Sequence, residues 1–375
     1  MKYKLLIDDE HKTFTFKGRE SHQTLMWPEF LVKTIDGVVP SETKFYKFLE
    51  SLYEDYFSKG YQLLIDERWE GHCWDFTLTT DLHKKISLSD ILIEFKNKYS
   101  ISHDFFKILN GNLYHYKNSN PNFYQPILFW LLHDKLNQDV LSKKLFTKKF
   151  LYLNRVSKNH RVDLFRKIFE GKDDILENSH YSWNAGFDDI DNPNNFPAKS
   201  LEGFQIKGED EDTLLNEPKK FIQDSFCNIV VETDTTEEGL FFSEKIVKPI
   251  LAKTPFVVLA SPNFLTTLKE LGFQTFNEWW HESYDLEKNH DKRIEKLYEV
   301  ITYINSKSLE ELYTMYDDMK NVLEHNVNQY KLLRSINNKL TTYPKAFHNM
   351  DFNYIGVDRE EELKQHYRIE EHETM

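Results

Sequence analysis

Apolar positions along the chain alternate between two periods. Residues 3–7 (YKLLI) and 61–65 (YQLLI) are apolar runs of strand length. Between them Phe45, Phe48, Leu49, Leu52, Tyr53 and Phe57 recur at the spacing of one helical face, behind Ser41 as an N-cap. Residues 87–99 carry a second helical pattern, and the Asn- and Pro-rich stretch 116–126 reads as a loop at a domain edge. The second half repeats the alternation. A strand core at Phe150 to Leu153 precedes a helix over 160–171 with Val162, Phe165, Ile168 and Phe169 inward, stopped at Gly171. Strand 227–233, helix 243–253, strand 255–261 and a helix closed by Gly272 follow. Within 243–253, Pro249 lacks the N–H that would bond the Lys245 carbonyl, so the helix is either kinked or starts late. From Asp291 onward the pattern is mainly amphipathic helix.

Strands and helices alternating at this spacing predict parallel sheets covered on both faces. With 375 residues, more than one core is expected. The division expected is an N-terminal α/β domain over 1–145, a second α/β domain over 146–305 and a helical extension over 306–375. Two doubly wound domains facing across a cleft fit that division, with ligands beyond the carboxyl ends of the strands.

Composition narrows the classes. No run approaches the roughly 20 apolar residues of a membrane span, and the N-terminus lacks a secretory signal, so a soluble cytoplasmic protein is expected. Cys73 and Cys227 are far apart in sequence and read as small hydrophobes. A net charge of -13 argues against a surface built to grip nucleic acid throughout. Positive charge gathers at Lys143, Lys144, Lys148, Lys149, Arg155, Lys158, Arg161, Arg166 and Lys167, which is where an anion site is expected.

Candidate chemistry lies at the strand ends. After the strand 150–153 come Asn154, Arg155, His160 and Arg161, opening a helix whose exposed amides and guanidinium suit a diphosphate. After the strand 229–231 comes Glu232, and Ser243, Glu244 and Lys245 open the next helix. Ser243 suits the N-cap and Glu244 the first turn, but a lysine at a positive helix end calls for a nearby anion. The competing reading of all these residues is solvated surface charge. Asp189 to Asp191 has an Asp-x-Asp form, which occurs often by chance.

The run FCNIVVETDTTEEGLFFSEKIVKPILAKTPFVVLASPNF, preceded by KKFLYLNRVSKNHRVDLFRKIF, resembles the donor-binding signature of the α1,3-fucosyltransferase family over residues 148–265. The resemblance implies a GT-B-like fold of two Rossmann-like domains and a nucleotide-diphosphate sugar donor, GDP- or UDP-linked. It also implies inverting transfer to an acceptor hydroxyl without an obligatory metal. By it Glu232 matches the family's first Glu, Glu244 the ribose-contacting Glu, Lys245 the phosphate-contacting Lys and Arg161 the diphosphate Arg. Thr233 and Asp234 replace Asn-Ser, Phe241 replaces Tyr and Ser243 replaces Thr. The base is expected from the N-terminal domain, either Glu67 or Asp66 after the strand 61–65, with Glu70, His72 and Asp75 nearby. The competing reading of these acids is a set of loop carboxylates facing water. Arg68, Trp69 and Trp74 can form an acceptor wall, although core packing is the commoner role for either Trp. Acceptors in view are a glycan, a small molecule or a modified nucleic acid. The rivals are a transferase acting on hydroxymethylated DNA bases and a non-catalytic nucleotide-sugar-binding module.

Overall fold

The structure is a computed structural model and describes residues 2–10, 12–17, 44–67, 78–79, 85–86, 88–110, 124–126, 145–154, 158–171, 173–183, 219–237, 240–340 and 368–373. The chain divides into two compact units, one of Met1–Phe129 with Thr341–Met375, the other Trp130–Leu340. The fold is α/β, with parallel strands in the sheets of both units.

In the first unit, β1 (Lys2–Asp8) and β2 (Thr13–Lys17) form an antiparallel hairpin. Helix α1 (Lys44–Ser51) leads through a 3-10 turn at Phe57–Lys59 to β3 (Gln62–Glu67). The short pair β4 (Leu78–Thr79) and β5 (Lys85–Ile86) stands as its own two-stranded sheet. Helix α2 (Leu88–Lys98), β6 (Phe106–Asn110) and β7 (Tyr124–Pro126) follow, and β2, β3, β6 and β7 pair in parallel in that order. The expected apolar face of 45–57 is buried, with Phe45, Leu49, Leu52 and Phe57 in the core beside Phe95, Phe105 and Phe106. The helix itself stops at Ser51, and Gly60 at φ 83 ends the turn that follows, a left-handed conformation natural to glycine. Residues 124–126, read as loop, form β7; two strand residues beside a proline leave no alternation to detect.

The expected helical extension over 306–375 is divided. Among the described residues its helices belong to the second unit and run to Leu340, while β12 (Arg368–Glu373) pairs antiparallel with β1 in the first. Strand β12 is rich in charged residues, which hid it from an apolar-run criterion. Its acids Glu371 and Glu373 stand opposite Lys4 and Lys2 in register.

The second unit contains β8 (Lys148–Asn154), α3 (Asn159–Glu170), β9 (Ser179–Trp183), α4 (Lys219–Gln223), β10 (Ser225–Val231), α5 (Glu244–Leu251), β11 (Phe256–Leu259) and α6 (Phe264–Glu270). Helices α7 (His290–Asn305), α8 (Leu309–Asp318) and α9 (Lys320–Leu340) complete it. All strand pairs are parallel, in the order β11-β10-β8-β9. Strand β10 is buried throughout, as a central parallel strand should be, and α7 covers the sheet with Ile294, Leu297, Val300, Ile301 and Ile304. Each such fully buried aliphatic side chain contributes about 1.5–3 kcal/mol. Of the four residues expected inward on α3, Val162, Phe165 and Ile168 are buried, but Phe169 is 45% exposed. Residue 169 falls within the angular span of the buried stripe but stands in the last turn of α3, one residue before the helix ends. Helix α5 starts at Glu244 and carries Pro249 in its last turn, which resolves the alternatives for Pro249 against a late start.

Strand order decides where a ligand belongs. From β8 the chain moves outward to β9, then crosses back to β10 on the other side of β8 and continues to β11. The direction of winding therefore reverses between β8 and β10, and the crevice beyond their carboxyl ends is the expected site.

Candidate functional site

Beyond Asn154 at the end of β8 and Glu232 at the end of β10, the starts of α3 and α5 come together. Helix α3 has Lys158 as its N-cap, with no side-chain cap, and Arg161 in its first turn. The Lys158 ammonium donates to the Thr233 carbonyl at 3.1 Å, and His160 Nε2 lies 3.0 Å from the Glu232 carbonyl oxygen. These two bonds tie the first turn of α3 to the loop leaving β10.

Glu232 is fully buried. Its carboxylate accepts the Ser243 hydroxyl at 2.5 Å, the Ser243 N–H at 3.4 Å and the Thr233 N–H at 3.3 Å. Burial pushes its pKa up, opposed by the Lys245 charge and the Ser243 hydrogen bonds. An internal carboxylate thus occupies the start of α5, where an external anion was anticipated. The Ser243 side chain accepts the Lys245 N–H at 3.2 Å, as an N-cap does.

The Lys245 ammonium reaches Thr233 Oγ1 at 3.2 Å, Ser243 Oγ at 3.3 Å and Glu244 Oε1 at 3.2 Å. Burial acts most strongly on Glu244 and would raise its pKa. The charges of Lys245 and Lys248 outweigh it and hold Glu244 at about 2. Lys248, one turn along from Glu244, is lowered by burial to about 8, with Glu244 opposing the shift. Arg161 is 5% exposed, and burial lowers its pKa against the attraction of Glu232 and Glu244.

His160 takes a role different from the phosphate contact expected of it. A ring nitrogen facing a carbonyl oxygen carries the proton, so Nε2 is the donor and Nδ1 of the neutral ring an acceptor. Burial, reinforced by the Arg161 charge, lowers its pKa to about 4, and the ring is neutral at ordinary pH. A neutral acceptor suits a hydroxyl and repels a phosphate oxygen.

The structure therefore gathers Asn154, His160, Arg161, Glu232, Ser243, Glu244 and Lys245 at one switch point. Arg155 and Asp189 to Asp191 lie outside the described residues, as do Arg68, Trp69, Glu70, His72, Trp74 and Asp75. Asp66 and Glu67 are the last residues of β3 in the first unit, at the carboxyl edge of its parallel strands, in register with Leu109 and Asn110. Much of the basic stretch is spent inside the fold: Lys148 donates to the Glu177 carbonyl at 2.8 Å, Lys149 to the Asn305 carbonyl, and Lys167 to Glu295 at 2.6 Å. Sequence reasoning passed over Lys158 as a tether and Lys248; the Glu244–Lys248 spacing of four was the available signal.

A further staple holds the strand ends. Arg293 is buried and donates to the carbonyls of Thr235 at 2.9 Å, Ala260 at 2.5 Å, Glu287 at 2.8 Å and Lys288 at 3.1 Å. It joins the loop after β10 to the end of β11. Asp285 fills the start of α6 by accepting the Leu265 and Thr266 N–H groups at 2.7 and 3.0 Å. Among the described residues no group of His, Cys, Asp and Glu is arranged to hold a metal ion, and no helix is long and apolar enough to cross a membrane.

Compared with known proteins, the chain matches no family model, and no curated protein matches it in sequence.

Proposed function

We propose that this chain is a glycosyltransferase that moves a sugar from a nucleotide-diphosphate sugar to an acceptor hydroxyl. In this reading the unit Trp130–Leu340 holds the donor, the unit with β3 presents the acceptor, and the arrangement is of GT-B type. The support is one observation: at the switch point of a parallel sheet, four cations (Lys158, Arg161, Lys245 and Lys248) stand among acceptors (His160, Glu244 and Asn154). Cations suit a diphosphate, and neutral or anionic acceptors suit the hydroxyls of ribose and sugar. Arg161 and Lys245 would offset the charge that grows on the departing nucleoside diphosphate. Glu67 or Asp66 would take the acceptor proton.

The test is a screen of GDP- and UDP-linked sugars against the full chain, with released nucleotide and transferred or hydrolysed sugar followed by mass spectrometry. Consumption of one donor is expected. A chain that neither consumes nor binds any nucleotide-diphosphate sugar ends the proposal.

A second reading, a nucleotide-sugar-binding module without turnover, is favoured by the inward use of Glu232, whose carboxylate is taken by Ser243 and Thr233. Tight binding of a sugar nucleotide without its consumption across a broad acceptor panel selects that reading.

A further inference from the structure

We infer that the Asn154 side-chain amide is a hydroxyl-binding group of the switch-point crevice, taking a hydroxyl of a sugar nucleotide and not its phosphates. The inference rests on the donor-site reading above and adds to it which part of the ligand meets the end of β8.

Asn154 is the last residue of β8, in register with Trp183 on β9, and is 3% exposed. Neither its Oδ1 nor its Nδ2 has a hydrogen-bond partner among the described residues. Tyr152 stands two residues earlier, on the same face of the strand, and its ring lies 6.1 Å from the Phe165 ring of α3. The amide therefore lies beneath the start of α3, on the side of Arg161, whose charge the Tyr152 phenol also feels. The Tyr152 hydroxyl is likewise buried and lacks a hydrogen bond of ordinary length, though it lies near enough to the Asn154 amide to be influenced by it.

A buried polar group left unpaired costs about 1–3 kcal/mol, and an apolar side chain of similar shape avoids that cost. Leucine at 154 and phenylalanine at 152 would pack the same space. Two adjacent buried polar groups that meet each other only beyond ordinary hydrogen-bond length, at a switch point, are what a ligand-binding position looks like when a further polar partner comes from outside the chain.

The chemistry of the amide selects the partner. It offers a donor and an acceptor together. A phosphate oxygen only accepts, and would set its negative charge against Oδ1. A hydroxyl both donates and accepts, and so satisfies the pair. Neutral His160 and ionised Glu244, both acceptors, favour hydroxyls at the same edge of the sheet. Contact requires a change of side-chain rotamer, which is common when a ligand enters a site.

The test uses isothermal titration of the full-length chain, wild type, Asn154→Leu and Tyr152→Phe, with GDP-fucose, UDP-glucose and inorganic pyrophosphate. Asn154→Leu is expected to melt no lower than wild type and to bind pyrophosphate within about twofold of it. It should bind the sugar nucleotide that wild type binds about tenfold more weakly, as for the loss of a paired hydrogen bond. Tyr152→Phe should show the same split at about threefold. If Asn154→Leu does not fold, Asn154→Ala takes its place with the same split expected. Equal weakening toward pyrophosphate makes the amide a phosphate ligand and overturns the inference, and unchanged affinities for all three probes overturn it too. Wild type that binds neither sugar nucleotide overturns the donor reading and this inference with it.

Discussion

The Ser243 hydroxyl donates to the Glu232 carboxylate at 2.5 Å, and this bond closes the end of β10 onto the start of α5. It accounts for an acid and a lysine standing side by side in an apolar stretch. The positive end of α5 and the Lys245 ammonium are offset from within, by Glu232 below and Glu244 beside. Among the described residues of the site, the cations Lys158, Arg161, Lys245 and Lys248 outnumber the carboxylates Glu232 and Glu244, so the local charge is positive.

The two states of Glu232 predict an ordering of variants. Burial raises its pKa, so a neutral acceptor of the same shape is tolerated better than none. Glu232→Gln is expected to change unfolding free energy by less than about 1 kcal/mol. Glu232→Ala is expected to cost about 2–4 kcal/mol, because the buried Ser243 hydroxyl and N–H lose their acceptor and a cavity opens. Urea denaturation measures both, and equal losses would contradict the ordering.

His160 predicts a pH dependence. Its folded pKa is about 4, below the ordinary value of 6.5, so the unfolded chain binds the proton more readily between those values. The neutral ring's contribution to stability is complete above pH 6.5 and is lost as pH falls toward 4. At about 1.4 kcal/mol per unit, the loss is about 3 kcal/mol by pH 4. His160→Gln keeps an N–H for the Glu232 carbonyl but does not titrate. The difference in stability between wild type and His160→Gln should shrink or reverse as pH falls from 7 to 4.5, and a pH-independent difference removes His160 from this role.

The second unit was legible because its signals are local and strong. Residues 229–231 and 256–259 are continuous apolar runs, and both lie on parallel strands whose residues are buried throughout. The site residues were legible because a parallel sheet sends each strand end to the same edge, so Asn154 and Glu232 had to be neighbours once β8 and β10 paired. The first unit was harder to read. Strand β2 (TFTFK) alternates in five residues and β12 consists largely of charges, so neither passes an apolar-run test. The return of residues 368–373 to β1 is a pairing across more than 350 positions, which no local pattern carries. Partners of individual side chains were equally out of reach: nothing in the order of residues says that Glu232 turns inward to Ser243.

Arg161 and Lys245 separate binding from folding. Lys245 is partly exposed, and its removal leaves Glu244 with Lys248 nearby. Lys245→Ala is expected to abolish donor turnover while the melting temperature falls by only a few degrees, as for a loss of about 1 kcal/mol. Arg161 is buried and attracted by the charges of Glu232 and Glu244, and Arg161→Ala removes that attraction and empties a buried site, at about 3 kcal/mol. Both variants should lose sugar-nucleotide binding in titration, but only Arg161→Ala should lose much stability. Wild-type turnover in both removes them from the site.

The tail strand predicts a local effect at the other end of the chain. Arg368 Nε and its terminal nitrogen bond the two oxygens of Asp9 at 3.0 Å each, and the Tyr61 hydroxyl donates to the same carboxylate at 2.6 Å. The hydrogen bonds from Arg368 and then Tyr61 lower the Asp9 pKa to about 2. The Tyr56 hydroxyl adds a bond to Glu370 at 2.5 Å. Because the Asp9 pKa is depressed, its contribution holds above about pH 4 and fades as pH falls through 2. Asp9 and Arg368 are each about half exposed, so the pair is worth less than about 1 kcal/mol globally. Its influence should instead be local, on the pairing of β12 with β1. Asp9→Asn is expected to speed amide hydrogen exchange in residues 368–373 and 2–8 several-fold at neutral pH, with the second unit unchanged, consistent with a local opening made easier by under 1 kcal/mol. Exchange equal to wild type in both strands would show that the backbone ladder alone holds the tail.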